Sequence, residues 1–234
     1  MGVFGQLMGG SGRWNPSEAF MQFRFNILTL TLVLAACSGT PERTTQGSTG
    51  LEGSPLPETN WIEGSPVLER EIAAHVAQVP YLQKPEDFVR EVEWFVRAGE
   101  PAFPTLLDMA RNTDPKVAGF ALAVMSACGD SRLVPHLETI PWTEGDSQEA
   151  RQLRYERARC HVKLGDWKPL PVLVEGLDDE YVWNRALCFK ALREETGQTF
   201  DYHPRMEGEE RAACVARWQE WLEARRLDPY RSGD

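Results

Sequence analysis

Apolar positions recur at three- and four-residue steps from about residue 61 onward. Ile72, Val76, Val79 and Leu82 form one such set, and Phe88, Val92, Phe95 and Val96 the next. That spacing lays one apolar stripe along an α-helix. Start signals accompany it. Ser65-Pro66 and Asp114-Pro115 each join a capping side chain to a proline at the first helical position, where no N–H is needed. Asp178-Asp179-Glu180 precedes another start, where carboxylates favour the positive end of the helix dipole. No alternating strand segment of useful length occurs, so the body is predicted to be all-α.

The helical pattern also repeats. Gly129-Asp130-Ser-Arg-Leu-Val134-Pro135-His-Leu137 matches Gly165-Asp166-Trp-Lys-Pro-Leu170-Pro171-Val-Leu173 at a shift of 36. Asp114-Pro-Lys-Val117-Ala-Gly-Phe-Ala121-Leu122 matches Asp179-Glu-Tyr-Val182-Trp-Asn-Arg-Ala186-Leu187 at a shift of 65. Gly99-Glu100-Pro-Ala-Phe-Pro104-Thr-Leu106 is an earlier, looser copy. Aspartate caps the first helix of a pair, Val and Ala-Leu face inward, Gly-Asp makes the turn, and x-Pro-x-Leu opens the second helix. One such hairpin cannot bury its apolar face alone, so hairpins must stack. In the middle copy Arg157 stands where Ala is expected, and Ala158 substitutes after a one-residue adjustment.

These residues resemble bacterial HEAT-like repeats of the short kind, over about residues 85–195. The C-terminus resembles the closing unit of such proteins: Leu192, Thr196-Gly197, Phe200-x-Tyr202-x-Pro204, Glu210-Arg211 and Trp218-x-x-Trp221. The resemblance implies a short α-solenoid of helical hairpins over 61–234 with a C-terminal capping helix at Glu209–Arg226. Trp218 and Trp221, three apart, share one helix face. They read as packing on the last hairpin or as an aromatic platform for glycan.

Upstream the pattern differs. Ile27 to Ala36 is an uncharged apolar run broken only by Thr29 and Thr31, with Arg24 just before it. Ten residues rise about 15 Å as a helix, half of a bilayer core of about 30 Å. The run therefore fits a signal-peptide core rather than a span. Leu34-Ala35-Ala36-Cys37 resembles a bacterial lipobox. The resemblance implies a lipid thioether on Cys37, cleavage before it, and acylation of the new amino group. Starting at Met21, residues 21–36 make an ordinary lipoprotein signal peptide, and 1–20 read as a gene-model extension beginning at Met1. Met1-Gly2 is no myristoylation signal, because Gln6 replaces the required Ser or Thr. Residues 37–60, rich in Ser, Gly, Thr and Pro, read as a flexible tether. Ser38 after the lipid site leans toward the outer membrane in a two-membrane cell.

Composition narrows the picture. The chain has 234 residues, 42% hydrophobic, with a net charge of −10. That acidity argues against a nucleic-acid partner. It lies after Cys37, since residues 1–36 carry only Arg13, Arg24 and Glu18. Cys128, Cys160, Cys188 and Cys214 contain no CxxC pair and read as small core residues, with a Cys160–Cys188 disulfide as the alternative. His75, His136, His161 and His203 include no i, i+4 pair, so no helical metal site is predicted. Cys160 and His161 are neighbours and point to different faces. His203 lies with Asp201 in the closing loop, reading as a loop hydrogen bond or an acid–base group. The clusters Glu86-Asp87, Asp178-Asp179-Glu180, Glu194-Glu195 and Glu207 with Glu209-Glu210 read as solvated helix ends, although a carboxylate pair across a cleft is what glycosidase chemistry needs. No nucleophile elbow, phosphate loop or zinc-protease motif occurs.

The expectation is a lipid-anchored, non-enzymatic protein-interaction or scaffolding module at a bacterial cell envelope. Its lipid on Cys37 meets the membrane, an envelope protein is its partner, and it needs no cofactor. The alternatives are a lyase-type envelope enzyme on the same scaffold and a glycan- or peptidoglycan-binding structural lipoprotein.

Overall fold

The computed structural model describes residues 60–227, and these form nine α-helices and four short 3-10 turns with no strand among them. The segments read as a gene-model extension (1–20) and a signal peptide (21–36), the expected lipid site Cys37 and nearly all of the expected tether lie outside the described residues, as do 228–234. The helices are α1 Pro66–Gln78, α2 Pro85–Ala98, α3 Phe103–Ala110, α4 Pro115–Cys128 and α5 Val134–Glu138. They continue with α6 Gln148–Lys163, α7 Leu170–Glu175, α8 Val182–Thr196 and α9 Gly208–Leu227. The all-α expectation holds across the described residues.

The capping signals act as read. Ser65 Oγ accepts from the Leu68 amide at 3.2 Å, and Asp114 Oδ1 from the Lys116 amide at 2.9 Å. A third cap was not singled out from the sequence: Ser147 Oγ accepts from the Ala150 amide at 3.1 Å and starts α6. The three turn copies share a glycine of positive φ: Gly99, Gly129 and Gly165 lie between +66° and +89°, where a side chain would be strained. A carboxylate follows each, at Glu100, Asp130 and Asp166. Asp130 Oδ1 accepts from the Arg132 amide at 3.0 Å, and Asp166 Oδ1 from the Lys168 amide at 3.2 Å. Leu106, Leu137 and Leu173 then turn inward, each fully buried.

The base three residues after the turn glycine reaches back toward the preceding copy. Arg132 pairs with Glu100, and Lys168 Nζ lies 2.7 Å from Glu138. The longer helices pack in series: α2 on α4, α4 on α6, and α6 on α8. The shorter α3 packs on α4, α7 packs on both α6 and α8, and α9 packs on α7.

Helix α6 separates two apolar clusters. Cys160 and Leu164 join the one centred on α2–α4, while Tyr155, Ala158 and Val162 join the one reaching α9. Ala158 does face the core, yet Arg157 beside it is buried as well. At the far end Trp218 is wholly buried, with Phe200 edge-on at 4.8 Å and Trp221 edge-on at 5.8 Å. The pair packs the last hairpin; Trp218 offers no surface for a platform. Phe200 and Asp201 both adopt left-handed backbone, at φ 46° and 57°. A bulky residue there is strained. The Phe200 ring on Trp218 and the Tyr202 hydroxyl, which donates to the Leu177 carbonyl at 2.6 Å, hold the loop in that shape.

Candidate functional site

The polar groups that stand out lie on α6. Arg157 and His161 are one helical turn apart, share a face, and are only 4% and 2% exposed. Their burial has a local cause. Helix α5 is five residues long, and its final carbonyls need donors. Leu137 O already accepts from the Ile140 amide at 3.0 Å; Arg157 adds a second donor to it at 2.8 Å and bonds the loop carbonyl Pro141 O at 2.7 Å. That fixes the following loop, and Trp142 settles over α6. Its ring centre lies 4.2 Å from the Arg157 guanidinium and 5.8 Å from the His161 ring, with the two rings 20° from parallel. Trp142 itself is 40% exposed.

His161 Nδ1 stands 2.9 Å from Asp166 Oδ2, in the turn that closes α6. A carboxylate only accepts, so the proton is assigned to Nδ1 and the lone pair to Nε2. Burial holds the His161 pKa below its usual value of 6.5, a shift that the Asp166 hydrogen bond opposes and nearby Arg157 adds to. The imidazole is therefore neutral at pH 7 and presents an acceptor beneath Trp142. Such a pair can orient a bound group or take a proton from it. No thiol joins it. Burial pushes Cys160 up to about 12, and its side chain bonds Ser126.

A second polar centre corrects the reading of Asp178-Asp179-Glu180 as solvated surface. Asp179 is buried just ahead of α8, where its carboxylate meets groups from α6 and α8. Its Oδ1 accepts from the Tyr181 amide at 2.8 Å and Asn184 Nδ2 at 3.2 Å, and its Oδ2 from the Tyr155 hydroxyl at 3.0 Å. Arg151 Nε stands 3.0 Å from Oδ2 as an ion pair without hydrogen-bond alignment. Arg185 donates to the carbonyls of Asp179 and Glu180 and, at 2.7 Å, to that of Pro204 in the closing loop. Both oxygens of that carboxylate are engaged within the fold, which marks a structural junction.

The remaining candidates disperse. Lys163 pairs with Glu194 and Glu195, and Asp87 with Arg90. His203 Nδ1 accepts from the Arg205 amide at 3.2 Å, while Asp201 pairs with Arg217. His75 Nδ1 lies 2.5 Å from the buried Glu91 and stacks on Trp94 at 3.7 Å, joining α1 to α2. Cys128, Cys160, Cys188 and Cys214 are all free thiols. Cys188 lies against Gly176, in a different apolar cluster from Cys160. Among the described residues no three His, Cys, Asp or Glu side chains stand where they could hold a metal ion, and no helix is long and apolar enough to cross a membrane.

The Trp142 arrangement was not foreseen from the sequence. The available signal was Arg157 itself, a charged residue where the repeat calls for alanine, with His161 four residues on. No protein family, curated protein or solved structure matches the chain.

Proposed function

We propose that this chain is a lipoprotein anchored through Cys37. Its helical body is a short HEAT-like α-solenoid, closed by α9, that holds a protein partner at a bacterial cell envelope. The observation that carries the solenoid reading is the backward tie of Arg132 to Glu100 and of Lys168 to Glu138 from equivalent turn positions. Together with the serial packing of α2, α4, α6 and α8 it supports units that each rest on the one before. Stacked hairpins offer a long surface suited to proteins, and the role proposed is non-enzymatic. The anchoring rests on the lipobox resemblance at Leu34-Ala35-Ala36-Cys37, and the charge of −10 speaks against nucleic acid.

Crosslinking in intact cells, followed by mass spectrometry, tests the scaffold reading. A discrete envelope protein should be recovered with the wild type and be depleted with Cys37→Ala. An identical background set from both would overturn the proposal.

A further inference from the structure

Two buried polar atoms on the α6 face under Trp142 have no hydrogen-bond partner among the protein atoms: Arg157 Nε and His161 Nε2. Turning the side chains cannot relieve them. The other two Arg157 nitrogens are committed to Leu137 and Pro141, and His161 Nδ1 is held by Asp166. Leaving such atoms unmet is costly, because burial removes their water and returns no partner. The two are complementary. Arg157 Nε carries a proton and can only donate; His161 Nε2, with the ring proton on Nδ1, can only accept. They belong to side chains four residues apart on one helix, and the Trp142 ring lies against both.

We propose that this place is a hydroxyl-binding site closed by Trp142, in which one hydroxyl oxygen accepts from Arg157 Nε–H and gives its own proton to His161 Nε2. The chemistry selects the group. A carboxylate or phosphate oxygen accepts from arginine and then meets the imidazole lone pair. An ammonium donates to the imidazole and has nothing to offer arginine. A hydroxyl does both. It comes from a resident water or from the alcohol of a sugar, whose ring would stack on the exposed part of Trp142. The site is independent of the lipid anchor and of any protein partner.

Nitrogen NMR of the uniformly ¹⁵N-labelled full chain at pH 7.5 reads it directly, with His161 assigned by its loss in His161→Gln. Three samples are compared: buffer alone, glycerol and N-acetylglucosamine. The expected spectrum has the proton on Nδ1 and an Nε2 shift displaced toward that of a hydrogen-bonded acceptor. If that shift is the same in all three samples, the hydroxyl is water. If N-acetylglucosamine moves it saturably, with a matching tryptophan fluorescence change lost in Trp142→Phe, the hydroxyl is a sugar's. A proton on Nε2, or an Nε2 shift of an unbonded nitrogen in every sample, overturns the site.

Discussion

Arg157 on α6 donates to the Leu137 carbonyl at 2.8 Å, so the end of one short helix is capped by the long helix that follows it. The same side chain bonds Pro141 and underlies Trp142, which makes it the joint between α5, its loop and α6. Arg157→Ala should cost about 3 kcal/mol in chemical denaturation, since it removes a donor from both the Leu137 and Pro141 carbonyls and opens space under Trp142. Arg157→Lys should recover less than half of that, because one ammonium does not reproduce the planar fork. A lysine variant as stable as wild type would contradict this role.

Gly176 gives an independent test of packing between α6, α7 and α8. A methyl there would overlap the Cys188 sulfur and stand 3.0 Å from a Tyr155 ring carbon. Gly176→Ala should therefore destabilise by about 1–3 kcal/mol. In the double variant with Cys188→Ala, part of that loss should return, giving a favourable coupling of at least about 0.5 kcal/mol. Strictly additive effects would show that the sulfur is not the obstacle.

His161 should make stability fall in mild acid. Its native pKa is lowered by burial, with Asp166 offsetting part of the shift. Below about pH 6.5 the unfolded chain takes up a proton that the native chain refuses, so stability drops as pH falls toward the native pKa. Above about pH 7.5 neither state is protonated and the residue adds no slope. Between pH 7.5 and 5.5 wild type should thus lose more stability than His161→Gln loses. An equal or shallower loss in wild type would contradict a buried neutral imidazole.

The thiols should rank by burial. Cys160 and Cys188 are fully enclosed, and burial raises both pKa values; Cys128 is half-buried and pushed up to about 11. At pH 8, alkylation of native Cys37→Ala protein, mapped by mass spectrometry, should label Cys128 first and leave Cys160 and Cys188 intact until unfolding. Prompt labelling of Cys188 would contradict the packing around Gly176.

Much of the fold was legible where one residue type does one local job. Ser65 and Asp114 cap, Gly129 and Gly165 turn, and Leu137 and Leu173 point inward, as the repeat frame implies. Helix α6 was harder. Its sequence is dominated by charge, yet it stands between two apolar clusters, and Glu156, Arg157 and His161 are buried on it. Periodicity reports apolar burial and is blind to polar groups that satisfy helix ends across a stack. Asp179 illustrates the same limit. The repeat frame marks it as the counterpart of Asp114, but its burial follows only from the approach of Tyr155, Asn184 and Arg151. Trp142 sits in a loop with no periodicity at all, so its place over Arg157 and His161 follows from tertiary contacts alone.

The proposed function requires that the helical body be held to a membrane through Cys37. Metabolic labelling with palmitate tests that link most directly. Labelled acyl chain should appear in the wild-type protein, in a tryptic peptide beginning at Cys37, and be absent from Cys37→Ala. Equal incorporation in the two, or none in the wild type under conditions that label other lipoproteins of the same cell, would contradict it.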